Sequence, residues 1–182
     1  ALATSPGKKR LTAEFTVHIS PVGHIRLPHK TLSLSAEQRE RYLSGSNEIE
    51  IDGPEVTETI AKLTADNDEQ GKLVDQIFRY ANKNILHYSN PSDSDVPTVL
   101  RTRKADALGR ARAMTALLRA AKIPARLVTG FVLKEGFDVE AHYWVEVYDE
   151  EKWTPYDPEN GYHANLPPDY LPIRRGGTSI VG

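Results

Sequence analysis

The chain of 182 residues contains no cysteine. This absence excludes disulfide bonds, thiolate metal ligands and a cysteine nucleophile together. It does not identify the cellular compartment, because proteins without cysteine occur in oxidising and reducing compartments alike. A long hydrophobic run is also absent, since no apolar stretch approaches the roughly 18 residues that a membrane-spanning helix needs.

An excess of charge of either sign is missing as well. Lys and Arg total 23 against 25 Asp and Glu, which gives a formal net charge of -2. A general nucleic-acid binder usually carries a clear basic excess, so we expect no nucleic-acid partner. Hydrophobic residues make up 39% and charged residues 26% of the chain, which is typical of a soluble globular protein with a buried core.

The N-terminal part differs in pattern from the rest of the chain. Residues 11–20 alternate apolar and polar side chains, which predicts a half-buried strand. We therefore divide the chain into an N-terminal β-rich appendage over residues 1–55 and a core domain over residues 56–182. A metal site usually needs convergent carboxylate or thiolate partners. We accordingly interpret three nearby histidines as strand and turn residues, and we expect no metal and no other cofactor: His18, His24 and His29.

Helical periodicity is strongest over residues 108–121, where apolar residues recur on one face and Asp106 stands at the N-cap position. Residues 56–63 and 69–84 show the same period and predict two further helices. Ser35 and the glutamine three residues later form a weak capping box, which fits a short helix or a surface loop.

Alternating apolar residues predict three successive strands after the main helix, over residues 126–133, 142–148 and 153–156. His87 and the polar residues 89–97 are interpreted as a loop, because Ser, Asp, Asn and Pro dominate there. Residues 160–182 show no helical period, so we expect extended segments that wrap over the core.

Three sequence blocks carry a resemblance to a known family: LLRAAKIPARLVTGFV, HYWVEVY and WTPYDP. Their order and spacing over about residues 56–162 resemble the transglutaminase-like superfamily. The resemblance implies an α+β, papain-like core in which a helical lobe packs on an antiparallel sheet. It also implies a Cys-His-Asp triad, whose members match Ala107, His142 and Asp157.

The residue at position 107 removes the chemistry of that triad. A cysteine at a helix N-terminus is activated as a thiolate, the histidine acts as the base, and the aspartate orients the imidazole. A methyl group cannot replace the sulfur, so acyl transfer by this triad is excluded. Three explanations stay open: a natural pseudoenzyme, a cysteine protease or transglutaminase whose cysteine was exchanged for Ala107, and a misaligned motif.

The whole chain also resembles the extracytoplasmic domain of bacterial inactive transglutaminases fused to seven transmembrane helices. That resemblance implies a periplasmic domain of an inner-membrane protein, which touches the membrane only through segments outside these residues; a cytoplasmic location is the alternative. It further implies a peptide or protein ligand and an association with ATP-grasp peptide ligases. A purely structural interaction module is a third reading.

Basic residues crowd the predicted beginning of the main helix, at positions 101, 103, 104, 110 and 112, against the single acid Asp106. Because helix N-termini attract anions, we hypothesise that the vacated site binds an acidic peptide without cleaving it. Trp144 lines a peptide groove or belongs to the core, and Glu146 is an ion-pair partner or a ligand contact. The ligand-binding candidates are Arg103, Lys104, Asp106, Arg110, Trp144 and Glu146.

Overall fold

The structure is a computed structural model that describes residues 33–65, 70–89, 94–133, 139–149 and 151–176. The predicted strand over residues 11–20 and the three histidines near it lie outside the described residues. Within the described end of the N-terminal region, α1 spans Ala36–Leu43, where the sequence predicted a short helix or a surface loop. Its capping box is present, because Ser35 Oγ accepts from the Gln38 backbone and the Gln38 side chain accepts from the Ser35 backbone.

Four more helices follow in the order α2 (Pro54–Thr64), α3 (Gln70–Arg79), α4 (Val96–Thr102) and α5 (Ala107–Ala120). Helix α3 continues into a π-helical turn, Tyr80–Asn84. Helix α5 is the centre of the core. Its alanines allow neighbouring elements to approach closely, and α2, α3, α4, β3 and β4 all pack against it.

A four-stranded antiparallel sheet covers one side of α5. Its spatial order is β5 (Lys152–Tyr156), β4 (Val139–Asp149), β3 (Ala125–Leu133) and β6 (Tyr170–Arg175). Two short parallel strands, β1 (Leu86–His87) and β2 (Lys104–Ala105), form a separate ladder immediately before α5. The predicted α+β fold class, with helices packed on an antiparallel sheet, is confirmed.

The two faces of β4 have different surroundings. Val145 and Val147 belong to the main core. On the alternate face, Trp144 is 1% exposed and its ring meets the Tyr170 ring edge-on at 5.5 Å. Gly130 of β3, which pairs with His142, makes this contact possible, because a Cβ there would collide with the Leu171 carbonyl oxygen and with the Trp144 ring.

Two predictions about local structure are wrong. His87 lies in strand β1 rather than in a loop, because its neighbour Leu86 pairs with Lys104, a partner distant in sequence. The loop predicted over residues 89–97 ends earlier, since Asp95 caps α4 through the Thr98 backbone N–H. The extended structure expected over residues 160–182 includes, in its described part, the strand β6, which pairs with β3. Its Pro172 is tolerated because β6 is an edge strand of the described sheet.

Candidate functional site

The beginning of α5 forms one half of the candidate site. Ala107 is the first residue of the helix and is partly exposed. The Asp106 side chain caps it, accepting from the Gly109 backbone N–H at 2.8 Å and from Ser94 Oγ at 3.1 Å. A Cβ at Gly109 would lie 2.8 Å from the Ala105 Cβ, so the first turn packs tightly on the chain that leads into it. Asp106 therefore has a structural role here.

The other half is a buried imidazole–carboxylate pair. His142 of β4 and Asp157, which directly follows β5, meet at 2.7 Å between Nε2 and Oδ2. The two side chains are 9% and 0% exposed. Because an ionised carboxylate only accepts hydrogen bonds, Nε2 carries the proton. The other ring nitrogen, Nδ1, has no hydrogen-bond partner among the described residues.

Four further donors converge on the Asp157 carboxylate. Its Oδ2 also accepts from Tyr170 Oη at 2.6 Å and from Asn160 Nδ2 at 3.0 Å. Its Oδ1 accepts from the backbone N–H groups of Glu159 at 2.8 Å and Asn160 at 3.1 Å. Every acceptor site that a carboxylate normally offers is thus used or crowded.

These contacts determine the ionisation of the network. Burial raises the pKa of Asp157, but the hydrogen bond and charge of His142, with the bonds from Tyr170 and the backbone, outweigh it and hold the pKa below its ordinary value. Burial, followed by the hydrogen bond to Asp157, raises the pKa of Tyr170. At neutral pH the carboxylate is therefore ionised, and the phenol keeps the proton that it donates.

Arg110 connects the two halves. It lies one helical turn after Ala107, on the same side of α5, and is 6% exposed. Its Nη1 donates to the Pro158 carbonyl at 3.2 Å, and its Nε lies 3.2 Å from Glu159 Oε2. The latter is a close ion pair without hydrogen-bond alignment, since neither atom has a partner by hydrogen-bond geometry. The loop that follows Asp157 is thereby attached to the first turns of α5.

The π-helical turn supports the same loop. Asn82 Nδ2 donates to the Pro158 carbonyl at 2.8 Å. His87 Nδ1 lies 2.7 Å from Glu159 Oε1 on the other side. Because Asp157 and Asn160 flank these two anchored residues, the turn, β1 and α5 together fix the position of the carboxylate.

The remaining ligand-binding candidates have different surroundings. Trp144 is buried against Tyr170, and its Nε1 has no hydrogen-bond partner among the residues that the structure describes. Glu146 is 8% exposed and pairs with Arg126 at 2.6 Å and with Arg175 at 3.2 Å. Both side chains thus have a structural role, and ligand contacts by either stay a prediction.

The basic entrance is less positive than the sequence suggested. Arg101 pairs with Glu55 at 3.5 Å, Arg112 with Glu48 at 3.2 Å, and Arg110 with Glu159. The expectation of a single opposing acid is therefore wrong, because these glutamates come from distant parts of the chain.

Three entrance cations are exposed, namely Arg101, Arg103 and Lys104, and the last two form no ion pair within the described residues. Arg103 has a left-handed backbone, with φ of 54°, where it ends α4. Lys104 Nζ lies 5.8 Å from the centre of the Tyr88 ring. Of the entrance cations, these two are the ones best placed to meet a ligand.

Sequence reasoning missed several members of the network. Asn160 and Glu159 carried a weak signal, because an Asp followed by Pro-Glu-Asn favours a turn in which the Asp side chain bonds backbone N–H groups two and three residues on. Tyr170 carried no sequence signal, because its contact with Asp157 depends on the pairing of β6 with β3.

Two negative findings apply to the described part of the chain. Within it, no three His, Asp or Glu side chains converge in a way that could hold a metal ion. Nor does any helix in the described ranges have the length and apolar character needed to span a membrane.

The antiparallel sheet packed on a central helix, with a buried His–Asp pair, places the chain in the papain-like class of folds. The chain belongs to the transglutaminase-like superfamily, whose sequence model matches residues 57–158. A relative from Bacillus subtilis (strain 168), the uncharacterized protein YebA, is 30% identical over 132 residues. That match covers 60% of this chain and 18% of YebA.

Two solved structures are similar to the chain. A proposed cysteine protease from Cytophaga hutchinsonii matches with a TM-score of 0.66 at 21% identity, over 79% of this chain and 48% of that one. The periplasmic domain of TgpA from Pseudomonas aeruginosa matches with a TM-score of 0.55 at 26% identity, over 69% of this chain and 48% of that one. The chain thus spans less than half the length of each of these relatives.

Proposed function

We propose that this chain is a transglutaminase-like domain without acyl-transfer activity that binds a peptide or protein segment. The observation that carries the proposal is Ala107 at the first position of α5, where the family's thiolate would stand. A methyl group cannot attack a carbonyl carbon. The His142–Asp157 pair nevertheless remains hydrogen-bonded and buried, which supports a recognition role for this half of the site.

The charge of the ligand follows from the exposed entrance. Arg103 and Lys104 stand three and two residues before the N-cap Asp106, and the first-turn N–H groups of α5 add partial positive charge. An acidic peptide fits this surface. Because both cations are exposed, their attraction is screened by salt, and binding weakens as ionic strength rises.

An extracytoplasmic location belongs to the same proposal. It is supported by the similarity to the periplasmic domain of TgpA. The association with ATP-grasp ligases stays a prediction that rests on the family resemblance. If it holds, the ligand is a peptide that such a ligase has extended.

Calorimetric titration with an acidic and a neutral peptide of equal length tests the ligand class. We expect measurable binding of the acidic peptide alone, with affinity falling between low and physiological salt. Lys104→Gln should weaken it severalfold. Lys122→Gln is the matched control, because Lys122 is also exposed but lies past the opposite end of α5. Equal binding of both peptides would refute the charge argument.

A second candidate is an enzyme whose cysteine was exchanged for Ala107. The intact hydrogen bond between His142 and Asp157 favours it, since that pair is what an active thiolate needs. Ala107→Cys, treated with iodoacetamide across a pH range, separates the two. Rapid alkylation below pH 7, with hydrolysis of peptide substrates, supports the enzyme; alkylation no faster than that of Ala121→Cys, at the other end of α5, supports the binding domain.

A further inference from the structure

Strand β6, at the edge of the sheet, contributes the side chain of Tyr170 to the candidate site. Tyr170 stands on β6, two strands away from His142 on β4, with β3 between them. Its ring meets the His142 ring edge-on at 5.6 Å, and its hydroxyl donates to Asp157 at 2.6 Å. One side chain thus touches both members of the pair.

Asn160 acts on the same oxygen. Its Nδ2 donates to Asp157 Oδ2 at 3.0 Å and to Tyr170 Oη at 2.8 Å. Together with the His142 bond, three donors converge on one carboxylate oxygen, while two backbone N–H groups hold the other. The carboxylate cannot rotate without breaking several hydrogen bonds, so its orientation is fixed.

A fixed carboxylate also fixes the imidazole. Whenever the ring is neutral, it carries its proton on Nε2, because Asp157 accepts there, and Nδ1 then presents a lone pair. Nδ1 has no partner among the described residues, although the His142 side chain is only 9% exposed. An acceptor without a protein partner in a largely buried side chain is suited to a ligand that brings a hydrogen-bond donor.

We propose that Tyr170 and Asn160 are positioning residues that hold His142 in one tautomer, so that Nδ1 accepts a hydrogen bond from an N–H group of a bound peptide. This inference rests on the proposed function for the identity of the ligand. The inference adds an orientation of the bound peptide: its acidic part contacts the entrance of α5, and one of its uncharged amide groups contacts His142.

The positioning is measured on the protein without ligand, through the ring ¹⁵N resonances of His142. In the parent, at a pH where the ring is neutral, we expect one protonated and one unprotonated ring nitrogen. In Tyr170→Phe, the two resonances should move toward each other, because a loosened ring samples both tautomers. Tyr162→Phe is the matched control: Tyr162 packs edge-on against Tyr170 at 5.7 Å, but its hydroxyl makes no hydrogen bond within the described chain.

Asn160→Ala provides a second variant that keeps the aromatic packing. Asn160 is exposed, so we expect a folded protein with a smaller shift in the same direction. Resonances that superimpose on those of the parent in both variants would overturn the positioning role.

Peptide titration then separates the two proposals. Binding of the acidic peptide should weaken about tenfold in Tyr170→Phe, and a peptide N-methylated at its amides should bind the parent poorly. Altered His142 resonances with no peptide bound by the parent would refute the binding function and retain the positioning. Unaltered resonances with normal peptide binding would refute the positioning and retain the function.

Discussion

At the beginning of α5, polar groups serve the helix itself: Asp106 caps the first turn, and Gly109 lets it pack on Ala105. Around Asp157, by contrast, five hydrogen bonds serve one carboxylate and, through it, one imidazole. The first half tolerates alanine at position 107 because alanine is a good helix former and the position is partly exposed. The comparison teaches that a change at position 107 should disturb the fold less than a change in the His142–Asp157 pair.

The largest effect should come from removing the carboxylate. Asp157→Ala leaves buried donors on His142, Tyr170 and the backbone without an acceptor, so we expect a loss of about 3–5 kcal/mol in the free energy of unfolding. Urea denaturation measures it. Asp75→Ala is the control, because Asp75 pairs with His163 at the surface, where such a pair contributes at most about 1 kcal/mol. Similar losses in the two variants would break the comparison.

The pH dependence of stability tests the same half in a second way. The pKa of Asp157 is held below its ordinary value of 3.8, so the carboxylate stabilises the fold above that value and the stabilisation is lost as pH falls through the lowered pKa. Urea unfolding between pH 5 and pH 2 should show a decline that is reduced in Asp157→Asn. If stability declines equally in Asp157→Asn and in the parent, the acid sensitivity comes from other carboxyl groups.

At the helix, the cap should matter less. Asp106→Ala removes the acceptor of the Gly109 N–H and should reduce the free energy of unfolding by about 1 kcal/mol. Asp106→Asn keeps an oxygen at that position and should retain most of the stability. If the halves are independent, the ring resonances of His142 stay unchanged in Asp106→Ala; a shift would show that the cap also orders the imidazole.

The smallest effect is expected at position 107. Ala107→Ser changes a partly exposed first-turn residue and should alter the free energy of unfolding by less than about 0.5 kcal/mol. Thermal unfolding of the two proteins side by side is sufficient. A loss comparable with that of Asp106→Ala would show that the fold has come to depend on the methyl group.

Sequence reasoning reached the parts of the fold that have their own periodicity. The apolar stripe of α5 and the alternation along β4 predicted these elements to within a few residues. Strands β1 and β6 were not predicted as strands. Strand β1 has two residues and is too short to show alternation, and Pro172 interrupts the strand pattern of β6. Both elements exist through pairing with partners distant in the chain.

The candidate site divides in the same manner. His142 and Asp157 could be selected because family motifs mark them, and the structure joins them by a hydrogen bond. Tyr170 could not, since nothing in its neighbourhood along the chain indicates a contact with a residue thirteen positions earlier. The charge of the helix entrance was overestimated for a related reason: its neutralising glutamates are adjacent only after folding.

Gly130 of β3 determines how closely strand β6 can pack on the sheet. At Gly130 a hydrogen atom stands where any other residue would push a carbon into the Leu171 carbonyl and the Trp144 ring. Strand β6 can pair with β3 at this distance only because Gly130 has no Cβ. A single added methyl at this point would force β3 and β6 apart and displace the Tyr170 phenol from Asp157, so one missing carbon atom in the sheet sets the geometry of the carboxylate.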